Sequence, residues 1–214
     1  MKKLTLTMLA LSVTLGAFAQ GTVTFNNNGT GYRAPIYLPE SGNANLSKTG
    51  NTTAGTPAGT QVYTGALLTG SGYTAQLFSG AAGTTDANLL VAAAGTVTFR
   101  SGGAAGFTST ATVTLANVAK DAASAVFQIR VWDNSSGLYP TWAAAAPAWA
   151  AGTINAGTGN LFTVNSIGGD INTPPSLVGQ QSFNIYSLSA VPEPSTFVLA
   201  GLGAAGLLIF RRRK

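Results

Sequence analysis

An apolar run followed by a basic end constrains this chain more than any other feature of its sequence. Residues 197–210 are fourteen apolar or glycine residues without a charge. The chain then closes on four cations, Arg211, Arg212, Arg213 and Lys214. An apolar run has to be kept away from water, and adjacent cations do not easily cross a bilayer. The segment therefore predicts a transmembrane helix over residues 197–210, with a basic stop at 211–214 that stays in the cytoplasm.

The length of the run leaves a second interpretation open. Fourteen helical residues rise about 21 Å, whereas the hydrocarbon core of a bilayer is about 30 Å thick. A run of this length is also compatible with a helix buried in the core of a domain. Ser195 and Thr196, together with arginines that reach toward the lipid headgroups, reduce the difference between the length of the helix and the thickness of the bilayer core. The terminal cations favour the membrane interpretation.

A short polar motif precedes the apolar run. It consists of Pro192, Glu193 and Pro194, and its two prolines favour extended backbone in the residues before them. This order of motif, apolar helix and basic cluster resembles the PEP-CTERM sorting signal of bacterial exported proteins. The resemblance implies that an exosortase, a membrane-embedded protease-transpeptidase, recognises residues 192–194 and removes the helix. It also implies a link to exopolysaccharide and biofilm.

The N-terminus predicts export. Two lysines precede an apolar stretch, and the small residues Ala17 and Ala19 stand before the expected cleavage point. This pattern is typical of a secretory signal peptide over residues 1–19, cut before Gln20. The translocon and signal peptidase are then expected partners. The alternative is an N-terminal anchor helix that is never cut.

Between these ends lies a body of residues 20–190, followed by the sorting tail of residues 191–214. The chain has a formal charge of +5, but six of its eleven cations lie in the two ends, and the body carries five cations and five acids. No basic excess remains to bind phosphates, so nucleic acid is not an expected partner. The chain has neither Cys nor His, which removes disulfides, the commonest general base and the preferred zinc ligands. Neither a cofactor nor a metal is expected.

Short runs rich in Val, Thr, Phe and Tyr alternate with Gly, Asn and Ser in the body. This pattern predicts an all-β fold, a single antiparallel β-sandwich or open barrel domain. The clearest run is residues 125–132, where Phe127, Ile129 and Val131 share one face of a predicted central strand. The other predicted strands cover residues 22–26, 61–68, 73–78, 96–100, 107–115, 161–164 and 182–188.

Two segments of the body do not read as strands. Residues 41–60 consist almost wholly of small and polar residues, which predicts a long exposed loop. Residues 141–151 are rich in alanine, which predicts a short helix that Pro147 would end or kink.

Few side chains of the body suggest catalysis. Asp121 and Asp133 are expected near opposite ends of one strand, whereas catalysis by paired carboxylates needs both acids in one cleft. Ser47 and Lys48 are a conceivable serine–lysine pair, but they lie in the predicted loop. No catalytic residue is therefore predicted, and a hydrolase is the weakest of the alternatives.

Aromatic residues cluster after the predicted central strand. They are Trp132, Tyr139, Trp142 and Trp149. Flat rings beside amide and carboxylate groups are typical of surfaces that bind sugars, which makes these four residues candidate glycan contacts. The alternative interpretation is that the rings pack the core.

The body also resembles, more loosely, exported proteins of unknown function, through residues 22–27, 73–78 and 128–133. That resemblance implies no activity. The sequence therefore predicts an exported, non-enzymatic cell-surface or extracellular-matrix protein, anchored in the membrane before processing and then located at the cell surface or outside the cell. The alternatives are a carbohydrate-binding module on exopolysaccharide and a hydrolase.

Overall fold

The computed structural model describes residues 20–188, and β-strands dominate this part of the chain. The strands are β1 Gln20–Phe25, β2 Asn28–Gly29, β3 Tyr32–Arg33, β4 Ile36–Tyr37, β5 Tyr73–Ala81, β6 Val91–Ala92, β7 Val97–Thr98, β8 Ala111–Ala119, β9 Ser124–Asp133, β10 Ala156–Thr158, β11 Phe162–Asn165 and β12 Phe183–Asn184. The helix α1 covers Trp142–Ala150, and single 3-10 turns cover Ala87–Leu89 and Gly102–Ala104. The predicted all-β class is confirmed.

The main sheet is centred on the antiparallel pair of β5 and β9. Their register runs without a break from Tyr73 opposite Asp133 to Ala81 opposite Ala125. The short strands β6 and β7 pair with the free edge of β5, and β10 and β11 pair with the free edge of β9. The predicted central strand over residues 125–132 is thus confirmed, because β9 has partners on both edges.

Alternation along β9 divides the apolar side chains between the two faces of the sheet. Phe127, Ile129 and Val131 lie in a core cluster with buried residues of β1 and β8. Val126 and Trp132 lie in a second cluster with side chains of α1. The antiparallel pair of β1 and β8 therefore covers one face of the main sheet, and α1 covers the other.

The predicted strand over residues 61–68 is wrong. A single bridge joins Leu67 to Tyr37 there, and Val62 is 67% exposed. Of its apolar residues, Leu68 is buried in the first core cluster, whereas Val62 and Leu67 are exposed. The segment instead runs over β4, where the Leu38 N–H donates to the Ala66 carbonyl at 2.7 Å.

The C-terminal strand of the described chain also differs from the prediction. The expected strand over residues 182–188 is reduced to β12, and β12 pairs with β4 in parallel rather than antiparallel. Phe183 lies opposite Ile36, and further along Tyr186 bridges Ala156. The chain thus changes partner after two residues, which ends the regular ladder.

Helix α1 continues past Pro147 to Ala150, although the sequence predicted an end or kink at the proline. Proline removes one N–H donor from the helix, the one that would bond to the Ala143 carbonyl. Both ends of the helix are fixed by the rest of the fold. Trp142 packs into the second core cluster, and the Trp149 indole N–H donates to the Tyr186 carbonyl at 2.9 Å.

Within residues 20–188, no helix combines the length and the apolar character needed to cross a membrane. The predicted transmembrane helix over residues 197–210 lies outside the described residues.

Candidate functional site

The described chain ends in a segment that belongs to the core of the body. We name residues 181–188 the exit segment, because the predicted sorting tail follows it. Phe183 and Ile185 are buried in the first core cluster, and Asn184 is buried as well. The body is therefore folded almost up to the point where the tail begins.

Polar groups of the loop over residues 41–60 hold the exit segment. The backbone N–H of Lys48 donates to Asn184 Oδ1 at 2.7 Å. The backbone N–H of Ser182 donates to Asn51 Oδ1 at 2.9 Å. The loop is mostly exposed, as predicted, but these bonds attach it to a segment more than 130 residues away in sequence.

Tyr63 holds the same segment from the neighbouring stretch of chain. Its ring stacks on Tyr37 with 4.1 Å between ring centroids, and its hydroxyl lies 2.8 Å from the Gly50 carbonyl and 2.9 Å from the Ser182 carbonyl. Burial, with smaller effects of Tyr37 and Glu40, raises the pKa of Tyr63. The hydroxyl therefore stays protonated and remains a hydrogen-bond donor at physiological pH.

An ion pair between Lys48 and the buried Glu40 attaches the loop to the residues before it. Lys48 Nζ donates to Glu40 Oε2 at 2.5 Å and to the Val62 carbonyl at 2.9 Å, and the Glu40 side chain is only 3% exposed. Thr64 donates to the same carboxylate through its hydroxyl at 2.9 Å. Burial acts to raise the pKa of Glu40, but the hydrogen bonds from Lys48 and Thr64 outweigh it and lower that pKa. The Lys48 ammonium is thus engaged by the Glu40 carboxylate and the Val62 carbonyl.

Sequence reasoning missed this ion pair, although a signal for it exists. Glu40 and Lys48 are the only charged residues between Arg33 and Asp86 in the sequence. Two isolated opposite charges in an otherwise neutral polar stretch are candidates for an ion pair with each other. Nothing in the sequence indicated that Asn51 would contact the last strand.

The backbone of β10 approaches the exit segment so closely that Gly157 has no room for a side chain. A Cβ at Gly157 would lie 2.6 Å from the Asn184 carbonyl oxygen and 3.1 Å from Ile185 Cα. Both are backbone atoms, so they cannot move aside as a flexible side chain would. The absence of a side chain at this position therefore allows the exit segment to lie against the main sheet.

We expect Gly157→Ala to lower the free energy of unfolding by about 1–3 kcal/mol, the usual cost of overpacking. The same change should speed hydrogen exchange at the Tyr186 amide, which donates to the Ala156 carbonyl at 2.8 Å. Gly103→Ala is the matched control, because a Cβ there meets no atom within 4 Å. Equal losses of stability in the two variants, measured by chemical denaturation, would contradict this account.

The four aromatic residues predicted as glycan contacts come together in the structure, but mainly as packed core. Trp132 is fully buried and Trp142 is nearly so. Their ring centroids lie 6.0 Å apart in an edge-on arrangement, and Trp149 continues the series 5.6 Å from Trp142. The Trp132 indole N–H donates to the Tyr139 carbonyl at 2.8 Å.

This packing leaves little ring surface for a sugar. Stacking on a pyranose needs an open aromatic face, and Trp132 and Trp142 have none. Tyr139 and Trp149 are partly buried against the same cluster. The alternative interpretation, in which the rings pack the core, therefore describes Trp132 and Trp142.

The two aspartates considered for catalysis lie far apart. Asp121 accepts hydrogen bonds from the backbone N–H groups of residues 170–172. These bonds, above all the one from Asn172, lower the pKa of Asp121. Asp133 lies at the other end of β9, whose ten residues span roughly 30 Å. The two carboxylates therefore do not converge on one cleft.

Other predicted site residues lie outside the described residues. They are Ala17 and Ala19 at the expected signal cleavage point, Pro192, Glu193 and Pro194 of the sorting motif, and the basic cluster Arg211, Arg212, Arg213 and Lys214.

Fold and site together define a β-rich body whose described core includes the exit segment, close in sequence to the predicted sorting tail. Residues 190–214 match the family described as the PEP-CTERM protein-sorting motif. The predicted sorting signal is thus confirmed, and the chain carries the tail of a PEP-CTERM protein. This motif implies an exported protein that is sorted to the cell envelope, with an exosortase as its processing partner.

The family match covers the tail and does not extend into the body. No curated protein and no solved structure matches the chain.

Proposed function

We propose that this chain is a non-enzymatic cell-surface or extracellular-matrix protein, held in the membrane by residues 197–210 until an exosortase processes the tail. The junction between body and tail carries the proposal. The exit segment is anchored in the core up to Tyr186, and the sorting motif begins at residue 190. Removing the tail after its Pro-Glu-Pro motif would therefore take no strand or core residue from the body.

The surroundings of the acids support the non-enzymatic part of the proposal. Each of the five acids of the body forms a hydrogen bond or an ion pair within the fold. These bonds join Glu40 to Lys48, Asp86 to the Asn88 amide, Asp121 to the amides of residues 170–172, Asp133 to the Ser135 amide and Asp170 to Lys120. A carboxylate already holding part of the fold is poorly placed to act as a general acid or base.

The residues that line two surface depressions also support a non-enzymatic role. Two of them, of about 400 and 340 Å³, lie beside β11. Neither is lined by an ionisable side chain, whereas catalytic clefts usually bring such groups together. A passive surface role fits these depressions better than hydrolysis does.

We assign the body to the β-sandwich class, since the pair of β1 and β8 and the main sheet contribute to one shared apolar cluster. Sandwich domains bury the facing sides of their two layers in one core, which suits a stable surface module that lacks disulfides; here α1 also packs on the outer face of the main sheet.

Processing of the tail provides the test. We expect the mature protein from its own host to lack Arg211, Arg212, Arg213 and Lys214 by mass spectrometry. Replacing Pro192, Glu193 and Pro194 together by alanine should leave the full tail on the protein and keep it in the membrane fraction. The reason is that the two prolines and the acid would be the residues that the exosortase recognises.

The control is the double variant Pro174→Ala and Pro175→Ala, which removes two prolines from the body instead. It should be exported and processed like the wild type. A mature wild-type protein that keeps its basic cluster would reject processing at the tail.

A further inference from the structure

We propose that the surface around the exit segment rests on the lipid surface of the membrane while the tail is still attached. This surface, which we name the exit face, consists of Leu46, Val62 and the accessible residues of the exit segment, namely Gln181 and residues 186–188. The inference extends the proposed function, because it needs the tail to be held in the bilayer.

The geometry of the loop places both apolar residues beside the exit segment. Asn184 Nδ2 donates to the Leu46 carbonyl at 2.8 Å. Lys48 Nζ donates to the Val62 carbonyl at 2.9 Å, and the backbone N–H of Lys48 donates to Asn184 Oδ1. Further along the exit segment, the Ser187 N–H donates to the Ala44 carbonyl at 2.8 Å.

These two apolar side chains are open to solvent, unlike most of the aliphatic residues of the body. Leu46 is 41% exposed and Val62 is 67% exposed. Leu46 is bonded directly to the exit segment through Asn184, and Val62 is connected to it through Lys48. Exposed apolar side chains favour an interfacial lipid contact, because burying them among the headgroups removes apolar area from water.

The charge of the exit face also fits a lipid surface. Between residues 34 and 68 the sequence has only two charges, those of Glu40 and Lys48, and these neutralise each other in one ion pair. The exit segment itself has none. Bringing this face against the headgroups therefore strips no unpaired charge of its water.

The length of the connection limits which face can meet the bilayer. Eight residues, 189–196, separate the exit segment from the predicted span. Fully extended, they reach about 30 Å. A body of this size has a radius of gyration of about 15 Å, hence a diameter of about 40 Å. The face opposite the exit segment therefore lies farther from the exit point than the connection reaches.

Tethering makes even a weak contact effective. A short connection keeps the exit face at a high local concentration near the lipid, so little affinity is needed to hold it there. Processing of the tail would remove the tether and, with it, most of the contact. The exit face is thus expected to bind lipid before processing and to be released afterwards.

Single cysteines give a direct test, since the chain contains no native cysteine. The variants Leu46→Cys and Val62→Cys would each be exported by a host without an exosortase, which preserves the tail. Each would then be labelled with an environment-sensitive fluorophore and reconstituted into vesicles of phosphatidylcholine and phosphatidylglycerol. A nitroxide on the upper part of the lipid acyl chain serves as the quencher.

Two other exposed apolar positions provide matched controls. Leu138 is 71% exposed and Ile171 is 86% exposed, and neither belongs to the exit face. Probes at Leu138→Cys and Ile171→Cys therefore show how much quenching exposure alone produces. Ile171 also follows Asp170, whose side chain is 70% exposed and forms an ion pair with Lys120. A further variant, Leu207→Cys, reports whether the tail itself is in the bilayer.

We expect the probes at Leu46 and Val62 to be quenched several-fold more than those at Leu138 and Ile171, with the probe at Leu207 quenched as well. If the Leu207 probe is quenched and all four body probes behave alike, the lipid contact is overturned and the membrane-held tail stands. A blue shift at Leu46 and Val62 without lipid quenching would overturn it in favour of a second copy of the protein. If the Leu207 probe is not quenched, the membrane-held tail fails, and the inference fails with it.

Discussion

Replacing Trp132 by alanine is expected to lower the free energy of unfolding by about 3–5 kcal/mol, the usual cost of deleting a large aromatic side chain from a core. Trp132 is fully buried, and its ring meets Trp142 at 6.0 Å. The change also removes the N–H donor to the Tyr139 carbonyl, leaving that oxygen to find another partner. Equilibrium unfolding in urea, followed by circular dichroism, measures the loss.

The neighbouring residue Leu138 provides the control for this prediction. It lies on the same stretch of chain but is exposed, so Leu138→Ala should change the free energy of unfolding by less than about 0.5 kcal/mol. The comparison also separates two roles for Trp132. A glycan contact would tolerate the alanine without loss of stability, whereas a core residue would not. A Trp132→Ala variant as stable as the wild type would reject the packing described here.

Replacing Lys48 by methionine is expected to destabilise the body by about 3 kcal/mol at pH 7, because it leaves a buried carboxylate without its cation. Glu40 would keep the hydrogen bonds from Thr64 but lose its ion pair. The Lys48 ammonium also bonds to the Val62 carbonyl. The loss should therefore loosen residues 61–64 as well as the loop.

The effect of Lys48→Met should depend on pH in a defined direction. In the wild type the folded-state pKa of Glu40 lies below its usual value of about 4.3. Its ionised form therefore stabilises the fold above that usual value, and this contribution is lost as the pH falls through the folded pKa. The variant lacks the cation that stabilises the ionised Glu40. The difference in free energy of unfolding between the two proteins should therefore shrink as the pH falls from 7 toward 3 and Glu40 becomes protonated. Unfolding curves at several pH values test this trend.

The exposed ion pair between Lys120 and Asp170 offers the matched control. The Asp170 side chain is 70% exposed and that of Lys120 is 38% exposed, so Lys120→Met should cost less than about 1 kcal/mol. If Lys48→Met costs no more than Lys120→Met, or if its effect does not change with pH, the Glu40–Lys48 pair does not hold the loop as described.

The position of the exit segment explains why these two predictions concern function as well as stability. Lys48 and Asn51 hold residues 182–184 from the loop side, and the Trp149 indole, at the end of the aromatic series that begins at Trp132, holds Tyr186. The predicted tail thus follows a segment that is held in the fold from both sides. A processing enzyme would then act on a chain whose body stays folded.

Much of the architecture follows from local patterns in the sequence. The alternation of Phe127, Ile129 and Val131 predicted the central strand and its two faces, because a strand repeats every two residues whatever surrounds it. The sorting tail was equally local, since Pro192, Glu193 and Pro194, the apolar run and the basic cluster follow one another without interruption. Features of this kind need no knowledge of distant partners.

The tertiary structure alone decided the features that depend on partners far apart in sequence. The segment predicted as a strand over residues 61–68 forms a single bridge, from Leu67 to Tyr37, because its neighbour β4 extends over only two residues. The loop over residues 41–60 is attached to the exit segment across 131 and 136 residues. The burial of Trp132 and Trp142 likewise depends on where α1 lies on the sheet. Periodicity determines which face of a strand is apolar, but only long-range contacts determine what covers that face.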